Sequence, residues 1–138
     1  MPIRLKVTTN ASNGYSIASR TSGSLINDDA IPIPNANVGP VGNAITVGTP
    51  RYGVIITPGS ITGAGTNTLS STFGAGANVV QYNHATTLTL LTSTGVNGPA
   101  ASGDTANTVL VTHYLNISGN TEAGNYTQSS TYTIIPNF

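Results

Sequence analysis

Cysteine is absent from this sequence, which excludes both a disulfide framework and a thiolate nucleophile. Charge is scarce as well: charged residues are 6% of the 138 residues, and the formal net charge is zero. The cationic side chains, Arg4, Lys6, Arg20 and Arg51, are too few for a basic patch that displaces counterions from a phosphate backbone, so nucleic acid is not expected as a partner. No apolar run approaches the length that crosses a membrane.

The polarity of the chain comes from Thr, Ser, Asn and Gly rather than from charged groups. A neutral surface of hydroxyls and amides lacks the repulsion that keeps particles apart, and this favours self-association. The length predicts one domain, residues 1–138, with one hydrophobic core. The chain begins Met1-Pro2 and enters an alternating apolar run at once, so we expect that an exported protein has lost its leader.

Residues 3–9 alternate strictly between apolar and polar positions, which predicts a first strand. Its apolar face carries Ile3, Leu5 and Val7. The Asn13-Gly14 pair indicates a type I′ turn, and alternation resumes over residues 15–19. The first two strands are therefore predicted to form a hairpin or a tightly turned pair.

Five further strands are predicted from β-branched and alternating runs, over residues 44–47, 52–57, 78–82, 86–92 and 108–117. Residues 21–40 read as a proline-spaced loop or edge segment, and residues 58–76 and 95–103 as flexible loops. The run 108–117 is apolar in both parities, which is typical of a central or doubly covered strand.

A closing strand is predicted over residues 126–135, paired with the strand at 108–117 through a corner at residues 120–124. The sequence Gly124-Asn125-Tyr126 is typical of a tyrosine corner, in which the hydroxyl binds back to the corner backbone. Helical spacing of apolar residues is missing throughout. The expected fold is all-β, a single Ig-like or jelly-roll-like sandwich of about eight strands with almost no helix.

Catalytic groups are sparse. A hydrolytic triad would have to use His84 or His113 as base, and His113 lies among valines and leucines, where a core or inter-sheet histidine is the expected role. Asp28 and Asp29 are weak candidates for a calcium site, but the EF-hand pattern is missing and a plain turn is the favoured interpretation. We expect no enzyme activity and no cofactor.

Two stretches carry a resemblance: VTTNASNGYSI at residues 7–17, and AGNYT at 123–127 continuing to YTIIPNF at 132–138. Together they resemble exported bacterial surface proteins of the fimbrial and spore-coat-U kind, in which similar segments bracket an Ig-like sandwich. The resemblance implies an extracellular structural subunit of a filament, pilus or coat, joined to copies of itself by strand donation. The residues expected to take part in strand exchange are Ile3, Leu5, Val7, Tyr126, Tyr132 and Ile134.

Two alternatives remain open. A surface adhesin or carbohydrate-binding module would use Tyr52, Tyr82 or Tyr114 to stack on glycans, although aromatic residues are only 6% of the chain and tryptophan is absent. Separately, Lys6 and Asn137 could form the Lys–Asn isopeptide bond found in Gram-positive surface sandwiches. A solvated lysine on a strand face is the favoured interpretation, because Lys6 has outward parity and no acid occupies an apolar strand position.

Overall fold

The computed structural model describes residues 2–34, 48–59, 65–71, 73, 82, 85–95 and 108–138. Within these ranges the chain forms seven strands and no helix, and so none that could span a membrane. The strands are β1 (Ile3–Lys6), β2 (Tyr15–Thr21), β3 (Arg51–Pro58), β4 (Asn67–Leu69), β5 (Leu88–Ser93), β6 (Thr108–Asn116) and β7 (Ser130–Pro136). The all-β prediction is confirmed.

The strands form two antiparallel sheets, in the orders β1-β6-β3 and β4-β5-β2-β7. Strands β2 to β6 take the places of strands B to F of an immunoglobulin sandwich, whose sheets are A-B-E-D and C-F-G. The two terminal strands exchange places, because β7 lies beside β2 where strand A would be and β1 lies beside β6 where strand G would be. The first and last strands are thus edge strands of opposite sheets.

Two predicted pairings are wrong for the same reason. β1 and β2 do not form a hairpin, and β6 does not pair with β7, because in both cases the connection crosses from one sheet to the other. β6 pairs instead with β1 and β3, which confirms its prediction as a central strand. Alternation identifies which face of a strand is buried, but not which strand lies beside it.

The core lies between the inward faces of both sheets. Its fully buried side chains include Ile17 on β2, Val54 on β3, and Val109 and Val111 on β6. On β5 both Leu90 and Leu91 are buried, because the β2–β5 register shifts at this point and lets two successive residues face inward. This bulge is invisible in the simple alternation of residues 86–92.

The turn before β2 differs from the predicted type I′. The Gly14 N–H donates to the Ala11 carbonyl over 3.1 Å, which places Gly14 last in the turn. Gly14 has φ 81°, whereas Asn13 has no positive φ as a type I′ turn would require. A Cβ on Gly14 would collide with the Ser93 carbonyl, so glycine is also needed here for the close approach of two backbones.

The tyrosine corner is confirmed. The Tyr126 hydroxyl donates to the Glu122 carbonyl over 2.9 Å, across the turn that brings the chain from β6 to the opposite sheet. Because Tyr126 belongs to this corner, β7 begins later than predicted, at Ser130. The corner therefore fixes the direction in which the chain enters its last strand.

The segment between β2 and β3 is confirmed as a loop over the part that is described. Isolated bridges join Ile26 to Pro32 and to Thr127, so this loop follows the chain that leads into β7. The 58–76 loop was predicted too long, since β4 occupies three of its residues. The strands predicted at 44–47 and 78–81, His84, and most of the 95–103 loop lie outside the described residues.

Candidate functional site

An aromatic cluster joins the two sheets, and its members are Tyr52, Tyr82, His113, Gln128 and Tyr132. His113 on β6 stacks on Tyr52 of β3, with ring centroids 5.9 Å apart and planes inclined by 16°. The Tyr82 ring contacts His113 edge to face: the ring centroids are 5.7 Å apart and the ring planes are inclined by 85°. The Tyr82 hydroxyl donates to the Tyr132 hydroxyl of β7 over 3.0 Å. The cluster confirms that His113 is an inter-sheet histidine.

Gln128 connects this cluster to the loops around it. Its Oε1 accepts from the Tyr52 hydroxyl over 2.9 Å, and its Nε2 lies 2.6 Å from the Gly23 carbonyl and 2.6 Å from the Tyr82 carbonyl. One amide thus satisfies groups from three parts of the chain. The sequence offered no signal for this role, because Gln128 stands in a run of Thr and Ser with neither periodicity nor charge to distinguish it.

The hydrogen bonds also assign the His113 tautomer. The Tyr52 hydroxyl donates its one hydrogen to Gln128. His113 Nδ1 lies 2.8 Å from the same hydroxyl and must therefore be the donor in that contact. Nε2 is then the unprotonated nitrogen, and it is buried without a hydrogen-bond partner in the described part of the chain. Burial lowers the pKa of His113 and favours the neutral ring. The arrangement connects the two sheets through His113 and its partners.

The acidic turn is organised around the Asn27 side chain. The buried Asn27 side chain accepts from the Asp29 and Ile31 N–H groups, at 3.1 and 2.7 Å. Asp28 and Asp29 are exposed beside it. Among the described residues no group of three or more His, Asp or Glu side chains could hold a metal ion. These contacts are those of an Asx-type turn, in which a side chain satisfies the local backbone.

The candidate cross-link residues belong to opposite sheets. Lys6 is exposed at the end of β1, opposite Thr108 of β6. Asn137 follows β7 and is bound through its backbone to the first turn, donating to Gly14 O over 2.9 Å and accepting from Asn13 N over 3.1 Å. The bond between Lys6 and Asn137 stays a hypothesis that a mass measurement can test.

The edges of the sheets differ in how they are protected. In the described part of the chain the edge strands are β1, β3, β4 and β7. β1 carries exposed Arg4 and Lys6, and β4 is only three residues long. On β3 the Tyr52 N–H is already bound to the Pro34 carbonyl, at 2.9 Å, and Pro58 ends the strand. Charge, brevity and proline are the usual means by which proteins block edge-to-edge pairing.

β7 is neither short nor charged, and its one proline, Pro136, is its last residue, so residues 130–135 have no such protection. It contains no charged residue, and it pairs with β2 over seven consecutive residues without a register shift. Near its end β7 exposes one large apolar side chain on each face: Ile134 is 47% exposed and Ile135 is 48% exposed. A regular, uncharged edge strand with exposed apolar side chains is the type of surface that recruits another strand.

The residues predicted for strand exchange are therefore only partly brought together. Tyr132 and Ile134 lie on β7, whereas Tyr126 lies in the preceding corner. On the other sheet, Ile3 is 39% exposed and Leu5 half-buried on β1, and Val7 is buried beyond the end of that strand. The prediction treated the two terminal strands alike, but the charges on β1 distinguish it from β7.

A second apolar surface, which we call the β6 end, consists of Tyr114, Leu115 and Ile117. These side chains are 41%, 53% and 58% exposed. β1 does not extend alongside them: its first residue, Ile3, pairs with Val111, and β6 continues for five residues beyond that pair to Asn116. The β6 end belongs to the opposite sheet from β7.

The tyrosines considered as sugar platforms differ in accessibility. Tyr52 is 5% exposed and Tyr82 fully buried, and both are committed to the inter-sheet cluster. Only Tyr114 presents its ring to solvent. A cleft of about 500 Å³ beside the chain leading into β7 is lined by Ser22, Ser24, Thr127 and Ser129 among others, and none of the described residues in its wall is aromatic. Of these three tyrosines, only Tyr114 could therefore stack on a glycan, and among the described residues the Phe138 ring, 85% exposed, is also accessible.

Comparison with protein-family models, with curated proteins and with solved structures finds no match for this chain. The open edge of β7, the β6 end and the chemistry of the chain's surface are therefore the observations from which a function can be inferred.

Proposed function

We propose that this chain is a structural subunit that associates with copies of itself through an open sheet edge, within an extracellular bacterial filament, pilus or coat. The observation that carries the proposal is the contrast between β7 and the other edge strands. β1, β3 and β4 are protected by charge, by backbone contacts or by brevity, whereas β7 is long, regular, uncharged and apolar. Natural proteins rarely leave such an edge exposed unless it pairs.

The composition of the surface supports the same function. A formal net charge of zero removes long-range repulsion between copies. The polar groups of β7 are hydroxyls, on Ser130, Thr131 and Thr133, which impose no charge on a neighbouring copy. The extracellular setting is supported by the resemblance of the chain's ends to fimbrial and spore-coat-U-like surface proteins.

A filament requires two contact surfaces per subunit, and the chain offers two. The β7 edge belongs to one sheet and the β6 end to the other, and each exposes large apolar side chains. A single self-complementary surface generates only a closed pair, whereas copies joined in alternation through two different surfaces generate an open assembly. We assign the primary contact to β7 because it adds main-chain hydrogen bonds to apolar burial.

Electron micrographs of the concentrated protein test this proposal. We expect regular fibres or ordered arrays. A monodisperse monomer that binds a defined glycan in an array screen would instead support the carbohydrate-binding alternative, with Tyr114 as its platform. A Tyr114→Ala variant, which removes that exposed ring, would then abolish the glycan signal.

A further inference from the structure

We infer that the partner of β7 is β7 of a second copy, paired antiparallel about a two-fold axis that passes through Thr133. The inference rests on the proposed self-association and adds its geometry: which atoms bond, in which register and with which symmetry. Pairing of a strand with its own copy about a two-fold axis is isologous, so every residue pair away from the axis occurs twice and the residue on the axis meets its own copy once.

The backbone contacts of β7 identify which groups point to the open side. The residues just before and just after β7 that make backbone hydrogen bonds with β2 or with the chain next to it are odd-numbered. Ser22 N donates to Ser129 O over 2.9 Å, Thr127 exchanges two bonds with Ile26, and Asn137 N donates to Gly14 O. Because antiparallel residues alternate in the direction of their backbone groups, the even-numbered residues of β7 face the open edge. Those with an N–H donor are Ser130, Tyr132 and Ile134.

Pro136 also faces the open edge but offers only a carbonyl. If the axis passes through Thr133, the numbers of two paired residues add up to 266. Ser130 of one copy therefore lies opposite Pro136 of the other, and Tyr132 lies opposite Ile134. Every open-edge donor of the strand then has a carbonyl opposite: Ser130 N–H binds Pro136 O, and Tyr132 and Ile134 exchange both bonds. Because Pro136 has no N–H, the Ser130 carbonyl opposite it is left without a donor, and no other hydrogen bond of the pairing is lost.

The side chains favour the same axis. On the inner face it pairs Tyr132 with Ile134, an aromatic and β-branched pair of the kind that stabilises sheets. On the outer face it pairs Thr133 with itself and Thr131 with Ile135. An axis through Tyr132 would instead place the exposed isoleucines opposite serines, Ile134 opposite Ser130 and Ile135 opposite Ser129, and leave them uncovered. Since β7 has no charged residue, neither arrangement opposes like charges.

Single cysteines test this geometry without interference, because the chain has none of its own. Thr133 is exposed and would form a non-hydrogen-bonded pair across the axis, with Cα atoms about 4.5 Å apart, within the range a disulfide spans. Thr131→Cys places its sulfurs four residues apart along the strands, about 13 Å. Thr89→Cys, exposed on β5 between β4 and β2, is the matched control away from the edge.

We expect mild oxidation to convert most of the Thr133→Cys variant to a disulfide-linked dimer, and to leave Thr131→Cys and Thr89→Cys monomeric on a non-reducing gel. Cross-linking only in a mixture of Thr131→Cys with Thr133→Cys would overturn the axis through Thr133 in favour of one through Tyr132. Wild-type oligomers by light scattering without any β7 cross-link would overturn the inference and leave the proposed self-association intact. A wild-type monomer at every concentration would overturn both.

Discussion

The Tyr52 hydroxyl lies 2.8 Å from Nδ1 of His113 and donates to Gln128, so a neutral histidine ring is fixed between the sheets by a tyrosine that has already used its proton. The other ring nitrogen, Nε2, is buried without a partner in the described part of the chain. Protonating His113 would place a charge at this position and add a donor with nothing to accept it.

Acid should therefore weaken the fold through His113. Burial lowers its pKa in the folded protein, so the unfolded chain, with a pKa near 6.5, takes up the proton first. The stability that depends on neutral His113 is complete above pH 6.5 and declines as the pH falls, by at most about 1.4 kcal/mol per pH unit. The urea midpoint of the wild type should therefore be lower at pH 5.5 than at pH 7.5.

The variants identify the source of that decline. His113→Phe keeps a ring on Tyr52 but has no titrating group, so its urea midpoint should be nearly constant over the same range. His84→Gln removes the only other histidine and should retain the wild-type slope. An unchanged slope in His113→Phe would contradict this account of the inter-sheet cluster.

Gly14→Ala should destabilise the protein more than Gly48→Ala, although both glycines have φ 81°. Gly48 has open space around its Cβ position, so its substitution costs only the left-handed conformation, about 1–2 kcal/mol. At Gly14 the added Cβ also collides with the Ser93 carbonyl, and one of the two backbones must move. Equal losses in the free energy of unfolding would show that this close approach is unimportant.

Tyr126→Phe should lower the free energy of unfolding by about 0.5–1.5 kcal/mol, because it removes the hydroxyl that closes the corner onto Glu122. Tyr114→Phe makes the same chemical change on an exposed ring of β6 and should change stability by less than about 0.5 kcal/mol. Chemical denaturation of both variants at low protein concentration measures the difference, and a Tyr126→Phe loss no larger than the control would count against the corner.

The intact protein should have the mass of its unmodified sequence. A Lys6–Asn137 isopeptide bond would expel ammonia and lower the mass by about 17 Da, but exposed Lys6 lies on β1 and Asn137 follows β7 in the opposite sheet. A mass deficit of that size, lost in Lys6→Ala, would establish the cross-link and show that the chain's ends are tied covalently.

Most strands were predictable from the sequence, and their neighbours were not. β2, β3 and β5 were predicted from β-branched or alternating runs and β6 from a run that is apolar in both parities, and Tyr126 was predicted because the corner is a local motif. The connections after β1 and β6 also look like local turns, yet both cross between the sheets, since sheet pairing depends on contacts distant in sequence. β4 is too short to have a pattern of its own.

The candidate site was predictable to a similar extent. His113 was identified as an inter-sheet residue from its apolar neighbours, and Ile134 from its place in the closing strand. Gln128 was missed because its importance arises only when Tyr52, Gly23 and Tyr82 converge on it. The difference between β1 and β7 as edges became clear once their places in opposite sheets were known, although the charges of Arg4 and Lys6 were visible from the start.

The central claim is that copies of this chain associate through the edge of β7, and sedimentation velocity across a wide concentration range tests it most directly. Ile134→Lys adds a charge to a residue that is 47% exposed on that edge, and Thr89→Lys adds the same charge on β5. We predict concentration-dependent association of the wild type and of Thr89→Lys, and much weaker association of a folded Ile134→Lys, which keeps only the β6 end as a contact surface. Association of Ile134→Lys as strong as that of the wild type, or a wild type that stays monomeric throughout, would contradict the claim.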